Sequence, residues 1–256
     1  MLCGTHQHRT SYTATMDQPA TVNVLGKEPL NYNVSSFRVE RPLDFDFQPG
    51  QACRISVDRD GWRDEFRPMT MTSLPDEDHL EFVIKHYRDH DGVTKMMQSV
   101  QCGEQFRLQP PGGYITYQGP GVFIAGGAGL TPFLAILRDL ARKGKLDGHR
   151  LWFSNSRTQD LFLKRELDGM LQWKATYLLT DEEGDDPDPN DNIPYRRIDA
   201  EFVREQFKTD PELADGKARS QWFYLCGPPS FSEDIGEHLV NAGADPEKIV
   251  HKGWKS

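Results

Sequence analysis

The sequence predicts two domains, a closed antiparallel β barrel followed by an α/β domain with a parallel sheet. From residue 20 to about residue 117, short apolar or alternating segments are separated by turn residues, which is typical of a small barrel. After residue 121, apolar strands alternate with helical patterns, which indicates a parallel sheet covered on both faces. We therefore expect an unstructured leader at residues 1–19, a barrel domain at 20–118 and an α/β domain at 119–256.

In the barrel half, the pattern predicts strands at residues 21–25, 31–39, 52–57, 68–73 and 80–85. A last strand follows the rigid turn Gln109-Pro110-Pro111-Gly112-Gly113, and one helix at residues 94–100 ends before Gly103. In the α/β half, strands are expected at residues 122–125, 151–153, 175–179, 222–225 and 248–251, with helices at residues 132–143, 161–170, 200–207 and 231–242.

Composition excludes several classes of function. The 256 residues carry a net charge of −9, which argues against general nucleic-acid binding. No stretch approaches the roughly 20 apolar residues that span a bilayer, and the first residues lack the apolar segment of a secretory signal. We therefore expect no membrane insertion and a cytoplasmic location. The cysteines lack CxxC spacing, and Cys3, His6 and His8 lie in an unpatterned leader, so we expect no metal.

Two glycine-rich segments in the second half carry the main chemical signal, and each follows an apolar strand and precedes a helix. A strand that ends in glycines presents backbone N–H groups to a phosphate-bearing cofactor. Two such turns in one domain predict a dinucleotide lying across neighbouring strand ends, and hence a redox enzyme. The segments are Gly126-Gly127-Ala128-Gly129-Leu130-Thr131-Pro132-Phe133 and Cys226-Gly227-Pro228-Pro229.

The barrel half contains one strand with an arginine and several hydroxyls, Arg67-Pro68-Met69-Thr70-Met71-Thr72-Ser73. Arginine can clamp a phosphate and a hydroxyl can bond a flavin heteroatom. Positions i, i+3 and i+6 do not share a face on a regular strand, so their convergence requires a bulge or a turn. An ordinary strand with one surface arginine is the alternative interpretation.

A second barrel segment, Asp91-Gly92-Val93-Thr94, stands at a helix start, where Thr94 can cap the helix and Gly92 allows close backbone approach. An anion site and a plain capped helix both fit this segment.

In this order and spacing, the four segments and Pro110-Pro111-Gly112-Gly113-Tyr114 resemble the ferredoxin–NADP reductase superfamily over residues 20–256. Residues 153–167 are most similar to the NADH-dependent cytochrome reductases and the bacterial flavodoxin reductases of that group. The resemblance implies a Greek-key barrel that binds a flavin, followed by an α/β domain that binds a nicotinamide dinucleotide.

The resemblance also implies roles for single residues. Arg67 would hold the flavin phosphate, Thr70 would lie near flavin N5, and Gly92 to Thr94 would line the pyrophosphate. Cys226 would lie near nicotinamide C4, so we assign Thr70 and Cys226 as catalytic. The full set expected to bind cofactors is Arg67, Pro68, Met69, Thr70, Ser73, Val83, Ile84, Lys85, Gly92, Val93, Thr94, Gly127, Gly129, Leu130, Thr131, Pro132, Ser156, Arg157, Asp181, Cys226, Gly227, Pro228 and Trp254.

Several assignments stay open at this point. Met69 stands where the family usually has an aromatic residue that stacks on the flavin. Trp254 resembles the terminal aromatic that covers the flavin in some members, but a frayed tail or a core aromatic fits as well. Cys226 could simply pack in the core. Arg157 with Ser156 favours NADPH, whereas Asp181 matches the acid by which NADH-dependent relatives repel the 2′-phosphate.

The resemblance therefore implies an NAD(P)H oxidoreductase that holds FAD, with FMN less favoured, and passes electrons to a flavodoxin, a ferredoxin or a cytochrome-like protein. One alternative is a flavin reductase that releases its flavin, and another is a flavin-binding regulatory subunit without turnover. An acidic carrier would need a basic docking patch on this acidic chain. The candidates for that patch are Arg38, Arg41, Arg54, Arg59 and Arg63.

Overall fold

The structure is a computed structural model that describes residues 18–87, 91–181 and 193–251. The chain divides into two compact units, Met1–Tyr114 and Ile115–Ser256. Most of the expected leader, most of the acidic loop after Asp181, and Trp254 lie outside the described residues.

The first unit is an antiparallel sheet in the order β4-β3-β6-β1-β2-β5, with β7 paired to β3. Strand β5 pairs with β2, and β6 lies between β3 and β1, so the connections skip strands as in a Greek key. The predicted barrel is confirmed. Its elements are β1 (Ala20–Pro29), β2 (Val34–Glu40), β3 (Gln51–Val57), β4 (Arg67–Thr70), β5 (His79–Lys85), α1 (Val93–Ser99), β6 (Gln105–Leu108) and β7 (Gly112–Tyr114).

The two end strands of this sheet are joined just beyond β4. The Thr72 backbone N–H donates to the Glu81 carbonyl at 2.8 Å, and the Thr72 hydroxyl donates to the Glu81 carboxylate at 2.6 Å. Inside, Phe37, Phe82 and Phe106 are fully buried. Helix α1 contributes Val93 and Met97 to the same core cluster. The barrel is therefore closed between β4 and β5, and α1 packs against the barrel core through Val93 and Met97.

The second unit is a parallel sheet in the order β10-β9-β8-β11-β12, and the predicted α/β domain is confirmed. The chain runs outward from β8 to β9 and β10, then returns to place β11 on the other side of β8. The elements are β8 (Gly121–Gly126), α2 (Thr131–Arg142), β9 (Arg150–Asn155), α3 (Lys164–Leu171), β10 (Ala175–Leu179), α4 (Ala200–Thr209), β11 (Trp222–Cys226), α5 (Pro229–Ala242) and β12 (Ile249–His251).

Four helix starts differ from the sequence expectation, α2 and α5 by one and two residues, and those of α3 and α1 have a visible backbone cause. Helix α3 begins at Lys164 rather than at residue 161, because Leu163 adopts a left-handed conformation with φ 57°. Helix α1 begins at Val93 with Gly92 at its N-cap and without a side-chain cap, so Thr94 lies inside the first turn. The expected cap by Thr94 is therefore wrong.

Candidate functional sites

Arg67, the expected phosphate ligand, lies at the start of β4 with its side chain 47% exposed. Its Nη1 donates to the Phe66 carbonyl at 2.9 Å, and its Nη2 lies 3.2 Å from the Glu65 carboxylate. An exposed guanidinium can bind a phosphate through two N–H groups. A phosphate bound here would compete with Glu65 for the same charge.

The hydroxyls of this strand have separate surroundings. Thr70 is buried at the end of β4, and the chain then leaves β3 and bonds to Glu81 through Thr72. This change of partner is an irregularity of the kind that convergence of Arg67, Thr70 and Ser73 would require, and their convergence stays a prediction. The Ser73 hydroxyl oxygen accepts the Glu81 N–H at 3.0 Å, and Ser73 is buried. Ser73 thus helps to join β4 to β5, and a contact with flavin stays a prediction.

The expected flavin-site residues of β5 lie on opposite faces. Ile84 packs in the barrel core, so only its backbone is available to a ligand. Val83 and Lys85 alternate with it and occupy the other face. Met69 is half-buried and packs against the core cluster. On the outer face Val83 is buried and Lys85 is half-buried, while Met69 lies on the core side of β4, so contacts of these three side chains with a cofactor stay a prediction.

The start of α1 leaves space at the expected pyrophosphate segment. A Cβ added to Gly92 would meet nothing within 4 Å, whereas the Val93 side chain is buried in the core. Lys95 bonds to the Asp91 carboxylate at 2.8 Å, and this hydrogen bond lowers the pKa of Asp91. Val93 can therefore serve a phosphate through its backbone alone.

The two glycine-rich segments of the second unit are in direct contact. Ala125 of β8 pairs with Cys226 of β11, and a Cβ added to Gly129 would lie 2.0 Å from the Cys226 carbonyl oxygen. A Cβ added to Gly227 would lie 2.5 Å from the Phe231 ring. Because β8 and β11 flank the point where the strand order reverses, the segments lie where open α/β sheets bind their ligands.

Only part of the first glycine segment is accessible. Residues 126–128 are half-buried, whereas Gly129, Leu130 and Pro132 are buried. The Thr131 hydroxyl donates to the Ala128 carbonyl at 3.0 Å and braces the turn. The backbone of residues 126–128 is therefore the surface that can receive a phosphate. Leu130 and Pro132 are buried, so their side chains are packed in the unit and do not face a ligand.

Arg157, which favours NADPH, and Asp181, which favours NADH, form an ion pair with each other. Arg157 Nε lies 2.9 Å from Asp181 Oδ2, with side chains 43% and 36% exposed. The Asp181 N–H donates to the Ser156 carbonyl at 3.0 Å. The acid therefore lies beside the base that would hold a 2′-phosphate.

Two further polar groups lie at the end of β9 and were not assigned from the sequence. The Asn155 Nδ2 atom and the Thr158 hydroxyl are buried without a hydrogen-bond partner in the part of the chain that the structure describes. Buried amides and hydroxyls rarely stay unbonded. Together with the exposed Arg67, the space at Gly92 and the glycine turn, they fit a phosphate-bearing cofactor in each unit. Their position after a buried strand was the only signal in the sequence.

Family models match both units. Residues 21–117 match the model described as Oxidoreductase FAD-binding domain, and residues 123–237 match the Oxidoreductase NAD-binding domain. The chain belongs to the ferredoxin–NADP reductase superfamily. This membership assigns FAD to the barrel and a nicotinamide dinucleotide to the α/β unit of this ferredoxin–NADP reductase-like chain.

Individual relatives agree with this membership. The chain is 26% identical to the reductase component of propane 2-monooxygenase from Rhodococcus jostii, over 93% of this chain and 64% of that protein. It is 30% identical to NADH-cytochrome b5 reductase 1 of Candida glabrata, over 73% of this chain and 65% of that protein. The chain thus spans just under two thirds of each relative.

Solved structures show the same fold. A ferredoxin NADP+ reductase from Neisseria gonorrhoeae with bound FAD and NADP matches with a TM-score of 0.75 at 20% identity, over 91% of this chain and 98% of that chain. The cytochrome b5 reductase domain of Ulva prolifera nitrate reductase matches with a TM-score of 0.74 at 19% identity, over 93% and 98%.

The arginines expected to form a docking patch are mostly neutralised. In the ferredoxin–NADP reductase-like barrel, three of the five form ion pairs that offset their charge, and a basic docking patch at these residues stays a prediction. The pairs are Arg41 with Asp46, Arg59 with Glu104, and Arg63 with Asp58 and Asp60.

Within the described ranges, none of the helices combines the length and apolar character needed to cross a bilayer. Among the same residues, no three or more His, Cys, Asp or Glu side chains come together in a group that could hold a metal ion.

Proposed function

We propose that this chain is an NAD(P)H-dependent flavoprotein reductase that passes electrons from a reduced nicotinamide through FAD to a protein carrier. The observation that carries the proposal is the contact of Gly129 with Cys226 at the strand-order reversal of an α/β unit that follows a flavin-type barrel. A bound flavin supplies the chemistry, since it accepts a hydride and gives up electrons one at a time.

The chain's own residues would bind the two cofactors and orient them. The Arg67 guanidinium would bind the flavin phosphate, and the backbone at Gly92 to Thr94 would line the pyrophosphate. The backbone at Gly126 to Ala128 would receive the dinucleotide phosphates. Thr70 would donate a hydrogen bond near flavin N5, and Cys226 would set the position of the nicotinamide ring.

The relatives indicate the class of electron acceptor. Their names are those of reductase components of oxygenase systems and of NADH-cytochrome b5 reductases. We propose an acceptor of the same kind, a ferredoxin, a flavodoxin, a cytochrome or an oxygenase component. A cytoplasmic location is part of the proposal, because that compartment supplies reduced nicotinamide.

We also propose NADH as the preferred donor. Asp181 lies 2.9 Å from Arg157 and holds the charge that a 2′-phosphate would need. A 2′-phosphate would have to displace this carboxylate and would be repelled by it, whereas a ribose hydroxyl can donate to the carboxylate. The ion pair thus supports NADH, which Asp181 favours, over NADPH, which Arg157 favours.

The test is to purify the chain, identify the flavin released on denaturation, and titrate the native protein with NADH and NADPH while following flavin absorbance. We expect FAD, bleaching by NADH, and reduction of ferricyanide. A protein that takes up neither FAD nor FMN contradicts the proposal. Flavin lost on gel filtration favours a flavin reductase, and retained flavin without ferricyanide reduction favours a regulatory subunit.

A further inference from the structure

His86 follows directly after β5 and is 2% exposed, and no role has been assigned to it. Its backbone N–H donates to the Asn33 carbonyl at 2.7 Å. Its ring Nε2 lies 3.0 Å from the Ser35 hydroxyl, and its ring Nδ1 lies 3.0 Å from the Thr94 carbonyl oxygen. The ring edge also packs against Phe37, with centroids 6.1 Å apart. His86 is thus fixed by β2 on one side and contacts α1 on the other.

The chemistry of the partners sets the hydrogen positions in the neutral ring. A carbonyl oxygen only accepts hydrogen bonds, so Nδ1 must carry the hydrogen and donate it to Thr94. Nε2 then accepts from the Ser35 hydroxyl, which can donate. The buried ring is therefore satisfied on both nitrogens, and each nitrogen has a distinct function.

The Nδ1 bond connects two parts of the expected flavin site. Lys85 ends β5, and Thr94 lies eight residues after His86, in the first turn of α1. Thr94 belongs to the segment beginning at Gly92, where an added Cβ would meet nothing within 4 Å. A bond across this connection fixes the start of the helix relative to the end of the strand, and so holds the backbone N–H groups of that segment in place.

We propose that His86 is a positioning residue for flavin binding, and that its Nδ1 bond to the Thr94 carbonyl orients the Gly92–Thr94 backbone toward the flavin pyrophosphate. The inference rests on the proposed function, because it assigns to this residue the arrangement of that site. Preorganised N–H groups bind a phosphate more tightly because less ordering is needed on binding.

Two amide variants separate the two nitrogens of the ring. In His86→Asn the side-chain NH₂ stands near the position of Nδ1 and can still donate to Thr94. In His86→Gln it stands near the position of Nε2 and bonds toward Ser35 instead. Both variants lose the ring packing against Phe37, so a purely structural role predicts equal effects from both.

The measurement is the dissociation constant of FAD, followed by flavin fluorescence on the full chain after flavin removal. We expect His86→Gln to weaken FAD binding about five- to tenfold, the range that one lost hydrogen bond accounts for. We expect His86→Asn to stay within about twofold of the parent chain, with KM for NADH unchanged in both. His79→Gln, at the other end of β5, is the control and should bind FAD as the parent does.

Equal FAD affinities for the Asn and Gln variants, whether both unchanged or both weakened, would overturn the positioning role. Should His86→Gln fail to fold, His86→Leu keeps an apolar side chain of similar bulk but has no donor for the Thr94 carbonyl. An FAD dissociation constant at least about fivefold above that of His86→Asn then supports the proposal, and equal values for the two variants contradict it. A parent chain that binds no flavin would instead overturn the proposed function itself, and the two failures are thus distinguishable.

Discussion

Gly129 lies so close to Cys226 that no side chain fits between them, since a Cβ at position 129 would stand 2.0 Å from the Cys226 carbonyl oxygen and 2.4 Å from its carbon. Real Cβ atoms do not approach other atoms so closely, so the backbone of one turn would have to move. The two glycine-rich turns therefore form one packed unit at the ends of β8 and β11.

Gly129→Ala should damage the α/β unit. Relief of the overlap must shift backbone, at a cost of at least about 2 kcal/mol in the free energy of unfolding, and KM for NADH should rise. Gly169→Ala is the matched control, because a Cβ there meets nothing within 4 Å and the residue lies in α3. Thermal unfolding should show Gly169→Ala at or above the parent, and equal melting temperatures for both variants would contradict the argument.

Cys226→Ser should lower kcat about tenfold while FAD stays bound, because a misplaced nicotinamide ring slows hydride transfer without affecting the barrel. Stopped-flow reduction of the flavin by NADH measures the step directly. Cys53→Ala is the control, since Cys53 is buried in the barrel core and its burial raises the pKa of the thiol. A Cys226→Ser variant that reduces flavin at the parent rate would assign Cys226 to packing alone.

Asp181→Asn should shift the nicotinamide preference toward NADPH. Removal of the carboxylate frees Arg157 for the 2′-phosphate and removes the repulsion, so kcat/KM for NADPH relative to NADH should rise about tenfold. Asp147→Asn is matched, because Asp147 pairs with Lys174 at 3.0 Å in the same unit and has no assigned role. If the ratio of kcat/KM for NADPH to that for NADH is unchanged in Asp181→Asn, the pair of Arg157 and Asp181 has no part in nucleotide selection.

Arg67 and Glu65 should act in opposite directions on flavin affinity. Arg67→Ala loses the charge that we propose binds the flavin phosphate, so we expect FAD to bind at least about tenfold more weakly. Glu65→Gln removes the carboxylate that lies 3.2 Å from Arg67, so FAD should bind somewhat more tightly, with a smaller effect because both side chains are exposed. Equilibrium titration with FAD measures both, and weaker binding by Glu65→Gln would refute the competition.

The stability of the α/β unit should fall in mild acid because of His149. Burial lowers the pKa of His149 below 6.5, so the unfolded chain takes up the proton more readily than the folded one. The free energy of unfolding should therefore fall by about 1.4 kcal/mol for each pH unit below about 6.5, until the folded-state pKa is reached. Chemical denaturation of His149→Gln should show a flatter profile than the parent or the exposed His251→Gln.

Much of the fold follows from local sequence pattern, because buried strands and amphipathic helices differ in period. Strand β10 was placed at its observed bounds, residues 175–179. Strand β6 was missed, because four residues with two apolar positions are too short to show alternation. Helix α3 was extended too far, since the left-handed turn at Leu163 is imposed by tertiary context rather than by glycine.

The sequence allowed the types of residue in the candidate sites to be predicted, but not which of these residues contact one another. Arg157 and Asp181 are 24 positions apart, and only the pairing of β9 with β10 brings them together. The roles of Thr72 and Ser73 depended in the same way on Glu81, which belongs to a strand that sequence spacing alone does not align with β4.

The bonds from Thr72 and Ser73 to Glu81 divide one short segment into two kinds of position. Residues 67–70, for which we propose flavin contacts, come before the bonds that join β4 to β5, so a designer could vary them without breaking those bonds. Residues 72 and 73 make the bonds that join β4 to β5, so we expect substitutions there to destabilise the barrel and not only to change flavin binding. Efforts to redesign cofactor choice should therefore stop at position 70.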